Sequence, residues 1–405
     1  MLEVVSPDEA RKLVQARFAP FVVARTEEVA LAAAAGRRIA ADVVADEGVP
    51  PFNRSMVDGY ALRARDTFGC SEALPALLSL AGEVLMGEAP AVACETDACV
   101  RIPTGGELPV GADAVAMLEH CEDFGDGTIG VAKPTAPGEN VVFANDDVAP
   151  GQVLIGAGTT LLPHHVGTLA SLGLVRVRVS ARPRVGIIST GDEIIPADAA
   201  PRGSQMRDVN TPVLAAAVEA CGGEAVTFGI VPDDFAALSA RVREALGTCD
   251  MVLVSGGSSA GQRDNTSRVL EELGELLFHG IAVKPGKPTM VADVAGTPVF
   301  GMPGHPVAAY FMFIELVRPL LLGVTAAKES QVSAVLAAGV PSNHGRAEFV
   351  AVRLEDRDGV AFAVPVRGKS GLISQLAGAD GYFIIDRNRE GVAAGDPVDV
   401  RLFAR

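Results

Sequence analysis

Residues 283–290 read VKPGKPTM, which sets Lys284 and Lys287 three positions apart, among prolines and a glycine. Proline fixes φ and glycine permits tight bends, so the two ammonium groups ride on a backbone with little freedom. Such a segment serves either as a turn with solvated lysines or as a rigid cationic clamp for an anion. Two more loops, and the segment 300–310 that shares the lysines' end of the domain, bear on the choice. In STGDEI (189–194), Ser189, Thr190 and Gly191 offer hydroxyls and a close backbone approach to an anion, and Asp192 and Glu193 follow at once. Carboxylates beside a phosphate site serve a divalent cation or a general base, although Asp192 as a helix cap with a solvated Glu193 accounts for the same residues. In SGGSSAGQRDNTS (255–267), Ser255, Gly256 and Gly257 open a glycine- and hydroxyl-rich loop suited to cradling an anion. Asp264 then precedes a helix, as its cap or as a carboxylate holding a metal. The G-x-x-x-x-G-K-[ST] spacing of a P-loop is absent. In FGMPGHPVAAY (300–310), Pro303 and Pro306 stiffen a loop before a helix whose N-terminus favours an anion. Three such loops at strand ends of one domain favour the clamp over the solvated turn. By residue chemistry alone, Asp58 in PPFNRSMVDGYAL and Thr104 in RIPTGGELP read only as turns.

These loops need elements to hold them. Ser6 as cap and Pro7 in the first turn predict a helix over 6–18, and EEVALAAAAGRRIAA predicts a second over 27–41. From 52 to 150, short apolar runs separated by Gly, Pro and Asp predict a small all-β module. A helix around PHHVGTLASLG and a strand in LVRVRVSARP follow. From 183 onward strands and helices alternate: RVGIIST, a helix in TPVLAAAVEACGG capped by Thr211, EAVTFGIV, a helix in DDFAALSARVREAL, MVLVSGG, a helix in TSRVLEELG, TPVFGMPG, and a long helix from Pro306. That alternation predicts a parallel sheet with helices on both faces, where ligands bind beyond the carboxyl ends of the strands. The tail, with FVAVRLED, VAFAVPVRG, GYFIIDRN and DPVDVRLF, predicts a second small β-barrel. The fold class expected is therefore multidomain α/β. The changes of pattern mark off 1–24, a β-rich stretch 25–149, 150–180, a three-layer parallel-sheet α/β domain 181–326, and a β-barrel 327–405.

Composition excludes several functions. A net charge of −16 argues against a broad nucleic-acid footprint or an anionic membrane surface, while leaving room for a small anion in a local basic pocket. No tryptophan and three tyrosines leave few platforms for stacking single-stranded bases. No run of about twenty apolar residues lacks charges or breakers, so no membrane span is expected, and the N-terminus lacks the pattern of a signal peptide. The six cysteines form no C-x-x-C pair and read as reduced thiols of a cytoplasmic protein.

Taken together and in order, PPFNRSMVDGYA, RIPTGGELP, STGDE, SGGSSAGQRD, KPGKPT and GMPGHPVAA resemble the molybdopterin molybdenumtransferase family, which includes the MoeA proteins and the E domain of gephyrin. The tail, with GRAEFVAV and GKSGLISQLAGADGYFII, resembles the family's last domain, so the likeness spans nearly the whole chain. The resemblance implies four structural domains, with 1–24 and 150–180 joined as a linker domain into which the β-rich 25–149 is inserted, and a molybdopterin-binding α/β domain within an elongated homodimer whose active site lies between subunits. It implies a reaction on adenylylated molybdopterin, in which molybdate is bound, AMP is released with Mg²⁺ as the cation, and metal stays on the dithiolene. Carried over position by position, Asp58, Thr104, Glu193, Asp264, Lys284 and Lys287 fall on catalytic positions. Asp147, Asp233 or Asp234, Pro303, Pro306, Arg346 and Ser370 fall on further functional positions, and Glu193 and Asp264 would hold Mg²⁺. The sequence departs from the family's GNPVS, reading GHPVA with His305 and Ala308, lacks in GQRD the acidic residue often found before the loop aspartate, and has Asn53 where the family often has Asp; these departures leave tungstate as an alternative metal oxyanion. Rival readings are the upstream adenylyltransferase, which shares a related α/β fold, and a non-catalytic scaffold. The flanking β-modules weigh against the first, and the lack of an extra domain or long linker against the second.

Overall fold

The structure is a computed structural model and describes residues 4–256, 265–323 and 330–403. The chain divides into two units, residues 26–180 and residues 1–25 with 181–405.

In the larger unit a six-stranded sheet has the order Glu224–Val231, Arg184–Thr190, Met251–Ser255, Thr297–Met302, Met290–Val294, Glu275–His279. The first four strands run parallel, whereas Met290–Val294 runs antiparallel to both its neighbours. The all-parallel sheet expected from sequence is thus a parallel sheet with one reversed strand. The turn Ala295–Gly296 explains it: Ala295 and Gly296 both take positive φ, and the Gly296 N–H donates to Asp293 Oδ1 at 2.6 Å, closing a tight hairpin in place of a helical crossover. All five residues of Met251–Ser255 are buried, as expected of a strand covered on both faces. Met251 and Leu253 face a core shared with helices Pro7–Phe18, Asn210–Ala220 and Pro306–Met312, while Val252 and Val254 face helix Phe235–Leu246 and helix Asn265–Leu273. The three-layer α/β reading therefore holds.

Helix Pro7–Phe18 starts as its residues dictate, with Ser6 Oγ accepting from the Glu9 N–H at 3.2 Å. Its buried Ala10, Val14 and Phe18 join the α/β core, and residues 1–25 group with 181–405. Helix Asn210–Ala220 is not capped by Thr211. Asp208 accepts from the Thr211 N–H at 3.0 Å and from its hydroxyl at 2.6 Å, so the cap lies three residues earlier than expected. The long C-terminal helix contains a π-helical turn, Phe313–Val317, that places Glu315 in the interior.

In residues 330–403, Ala347–Arg357 pairs with Val360–Pro365 and Gly381–Ile385, and Pro397–Leu402 pairs with Gly381–Ile385 and Gln331–Leu336. Gln331–Leu336 returns to Val360–Pro365, closing a five-stranded barrel with its own apolar centre. Val283–Lys284 adds to this barrel's Ala347–Arg357 strand, so the VKPGKP loop is sewn to it.

In the smaller unit, a sheet of order Ala114–Met117, Gly59–Leu62, Ala98–Ile102, Ala76–Glu83, Thr128–Val131, Cys121–Asp123 forms the β-module. The helix expected over 27–41 is absent. Thr26–Ala30 is a strand paired with Arg176–Ser180, with Val29 opposite Val177, and only Leu31–Ala33 is helical, as one 3₁₀ turn. Alanine-rich propensity loses here to strand pairing and burial of Leu31 and Ile39 with Leu161, Leu169 and Val179. That shared core also groups the chain from 26 to about 45 with 152–180 instead of with the β-module. All six cysteines are free, and burial pushes the Cys94 and Cys121 thiols up to about 11 and Cys99 to about 12, which makes them poor nucleophiles. Among the described residues no helix is long and apolar enough to cross a membrane.

Candidate active site

The parallel strands of the larger unit end at one cleft of about 950 Å³. Ser189, Thr190 and Glu193 reach it from the Arg184–Thr190 strand, and Ser255 and Gly256 from the next strand. Lys284 and Lys287, Pro303 and Pro306, and from the barrel Arg346 and Ser370 complete its wall. Eleven residues singled out in the sequence thus share one cavity at the expected end of the sheet.

Tight backbone contacts set the floor. Gly256 has φ +105°, and a Cβ there would meet the Thr190 carbonyl oxygen at 2.1 Å, so only glycine lets these two loops touch. Gly286 has φ +120°, and a Cβ would press on Met312 at 2.9 Å, which fixes the bend between the two lysines. Thr289 Oγ1 donates to the Gly286 carbonyl at 2.6 Å, and the Ile281 N–H donates to the Lys287 carbonyl at 2.9 Å. The lysine loop is therefore held by its backbone carbonyls and Thr289, without the Lys287 side chain.

The cations differ in what they face. Lys287 and Arg346 are exposed and have no ionic partner among the described residues. Lys284 does have one: its Nζ lies 2.8 Å from Glu348 Oε1. The expected pair of free lysines is thus one free lysine and one held by a carboxylate, because Lys284 and Glu348 stand directly opposite in paired strands. His305 Nδ1 lies 2.8 Å from Ser370 Oγ, and the Val307 N–H donates to the Ser370 carbonyl at 3.2 Å, tying the Pro306 helix start to the barrel.

Four more predicted residues lie beside the cleft without lining it: Gly191, Asp192, Asp233 and Asp234. Asp192 is no helix cap; its Oδ1 accepts from the Asp233 N–H at 3.1 Å. Asp234 is the cap of helix Phe235–Leu246, accepting from the Ala237 N–H at 2.9 Å. Asn265 Nδ2 donates to the Asp233 carbonyl at 2.9 Å and lies 3.2 Å from Asp233 Oδ1. Of the two aspartates left open by sequence, Asp233 is the one not occupied by capping. Gly257 and Asp264 lie outside the described residues. Among the described residues no three His, Cys, Asp or Glu side chains gather as a metal site.

Sequence reasoning missed Asn210 and Glu348. Asn210 is buried and its Nδ2 donates to Ser255 Oγ at 2.6 Å and the Gly304 carbonyl at 2.9 Å, bridging two of the cleft's loops. The Asp208-x-Asn210 spacing before a helix was its only signal; Glu348 had none short of knowing the strand pairing.

In the smaller unit, Asp58 and Thr104 meet although 46 residues apart: Asp58 Oδ1 accepts from the Thr104 N–H at 2.7 Å and its hydroxyl at 3.0 Å. The N–H first and the hydroxyl second hold the Asp58 carboxyl below the usual carboxylate range. A Thr104→Val variant keeps the N–H and loses the hydroxyl. It is expected to move Asp58 partway back up, read as a rise in its NMR titration midpoint. The sign follows from linkage: a depressed carboxyl stabilises the fold above its unfolded pKa and stops doing so as pH falls through the folded one. Wild type therefore keeps this contribution to lower pH than the variant. Asp147 is exposed, its N–H donating to the Val49 carbonyl at 3.0 Å.

Comparison with known proteins places these features in a family. The MoeA N-terminal region (domain I and II) matches residues 5–173, the probable molybdopterin binding domain residues 186–323, and the MoeA C-terminal region (domain IV) residues 333–403. The molybdopterin molybdenumtransferase of Haemophilus influenzae is 31% identical, covering 94% of this chain and 94% of its own. That of Bacillus subtilis is 32% identical, covering 93% of this chain and 90% of its own. A solved structure of the molybdopterin biosynthesis MoeA protein from Pyrococcus horikoshii superposes with a TM-score of 0.86 at 37% identity, covering 100% of both chains. The chain belongs to the MoeA family of molybdopterin molybdenumtransferases, enzymes of molybdenum cofactor biosynthesis.

Proposed function

We propose that this chain inserts molybdenum into adenylylated molybdopterin and releases AMP. The observation that carries the reading is the pair of cations, Lys287 and Arg346, that have no ionic partner among the described residues and stand on the wall of one cleft with Lys284 beside them. Molybdate, the pterin phosphate and the adenylate are all anions. An ammonium and a guanidinium aimed at them supply charge-assisted hydrogen bonds and offset charge in phosphoryl transfer. Ser370 and the Ser189 and Thr190 hydroxyls add donors on the same wall. Glu193, on the cleft wall, suits Mg²⁺, which needs only one or two protein carboxylates and keeps waters and phosphate oxygens as its other ligands. When bound, Mg²⁺ neutralises charge on the phosphoanhydride. Glu193 then has the role of orienting the attacking water.

A homodimer belongs to the same proposal, with Asp58 and Thr104 serving the reaction from the β-module. Phe52 and Met56, exposed apolar side chains just before Asp58, suit coverage by a second copy. An upstream adenylyltransferase supplies the substrate, and the reducing cytoplasm fits six free thiols.

The test is to incubate purified protein with adenylylated molybdopterin, Mg²⁺ and molybdate or tungstate, and to follow AMP. Release that requires the oxyanion supports the reading, and the oxyanion that works decides the metal. Consumption of ATP with plain molybdopterin, giving an adenylylated product, would instead make the chain the adenylyltransferase.

A further inference from the structure

A second cavity, about 770 Å³, lies behind the first in the larger unit, between the Pro306 helix and the barrel. The two share Lys284, Pro285, His305 and Ser370. The partition between them therefore includes two polar contacts, His305 to Ser370 and Lys284 to Glu348, and Glu348 lines only the rear cavity.

The ion pair is asymmetric. The Glu348 side chain is 14% exposed and that of Lys284 49%. Glu348 Oε2 accepts from the Ser342 hydroxyl at 2.7 Å, and its backbone is locked between two strands. The carboxylate is the anchored partner, and the lysine, a point charge on a flexible four-carbon stem, is the one that can turn. In front of it stand Lys287 and Arg346 with no ionic partner among the described residues. An oxyanion held by those two draws Lys284 forward, and Glu348 draws it back.

We propose that Glu348 is an internal competitor for Lys284: it occupies the ammonium in the empty cleft, must be displaced by an incoming oxyanion, and so weakens oxyanion binding and speeds release. Glu348 touches no substrate in this account and acts only through the lysine. The inference rests on the reading that Lys284 faces an oxyanion.

The test titrates tungstate into wild type, Glu348→Gln, Lys284→Met and the double variant by isothermal calorimetry, with thermal unfolding as the check on folding. Glutamine keeps the shape and the acceptor while removing the charge. Glu348→Gln is expected to tighten tungstate binding about two- to fivefold, the range a half-exposed ion pair allows. The gain should vanish when Lys284 is methionine. Glu348→Asp, whose carboxylate is drawn back by one methylene, should shift affinity in the same direction and stands in if the glutamine variant does not fold. Weaker or unchanged binding in these variants would overturn the proposal, since a carboxylate that merely positions Lys284 would cost affinity when removed. A gain that persists without Lys284 would overturn it too, as would wild type that binds no tungstate. AMP release separates the two readings. Wild type that releases AMP while Glu348→Gln fails to tighten sinks only the competitor, and tightening without AMP release sinks only the insertion reaction.

Discussion

Lys287→Ala is expected to lower the rate of AMP release by about two to three orders of magnitude, the loss seen when one preorganised donor to a developing anion is removed. Lys287 lies on the cleft wall without an ionic partner among the described residues, so its charge is not already neutralised. Its loop does not depend on the side chain. The Ile281 N–H reaches the Lys287 carbonyl, Thr289 closes on Gly286, and Gly286 fits against Met312 whatever residue stands at 287. The melting temperature should therefore change little while the rate falls. Arginine at 287 is expected to restore only part of the rate, because a planar fork does not present charge as a compact ammonium does. A rate for Lys287→Ala within a few-fold of wild type, at saturating substrate, would show that the lysine is merely solvated.

The largest expected effect on stability belongs to Glu315. It is 7% exposed on the π-helical turn and gathers three partners: Arg11 Nη1 at 2.6 Å, Tyr382 Oη at 3.1 Å and Arg401 Nη1 at 3.2 Å. These come from the N-terminal helix and from two strands of the barrel, so one carboxylate links three parts of the larger unit. Removing it takes away the buried acceptor shared by two guanidinium groups and a phenol, although Arg11 keeps its pairing with Asp8. Losing one member of a buried ionic network costs roughly 3–5 kcal/mol, and the partial exposure of Arg11 and Arg401 puts Glu315→Ala near the lower end. Denaturant unfolding, followed by a probe in the larger unit, should show that loss. Glu315→Gln keeps the shape and one acceptor and should lose less. If alanine were tolerated within about 0.5 kcal/mol, the surface range, the linkage would carry no weight.

What could be read from sequence follows the range of the interactions involved. Strands such as Met251–Ser255 were legible because burial on both faces leaves an unbroken apolar run, and the loops that follow them announce themselves by glycine and hydroxyl content. The 27–41 stretch was misread because its alanines favour a helix locally, whereas Val29 is claimed by Val177, nearly 150 residues away. The reversed Met290–Val294 strand turns on two residues of positive φ, which alanine at 295 does not advertise. In the site, nine of the eleven cleft residues lie on loops that converge at one end of the sheet by topology, whereas Arg346 and Ser370 reach the cleft from the barrel and were indicated only by the family resemblance. Partnerships were not legible. Asp58 with Thr104, Asn210 with Ser255 and Lys284 with Glu348 each depend on register or on a loop's path, and neither is written in the residues on one side.

The stitching of Val283–Lys284 onto the barrel strand has a practical consequence for anyone recombining these proteins. A graft that exchanges residues 330–403 for a homologue's tail swaps the ledge on which a cleft lysine rests, along with Arg346 and Ser370. The natural seam for a working hybrid therefore does not follow the linear order of the modules: residues 283–288 must travel with the tail, as though a fragment of the final module had been spliced into the preceding one.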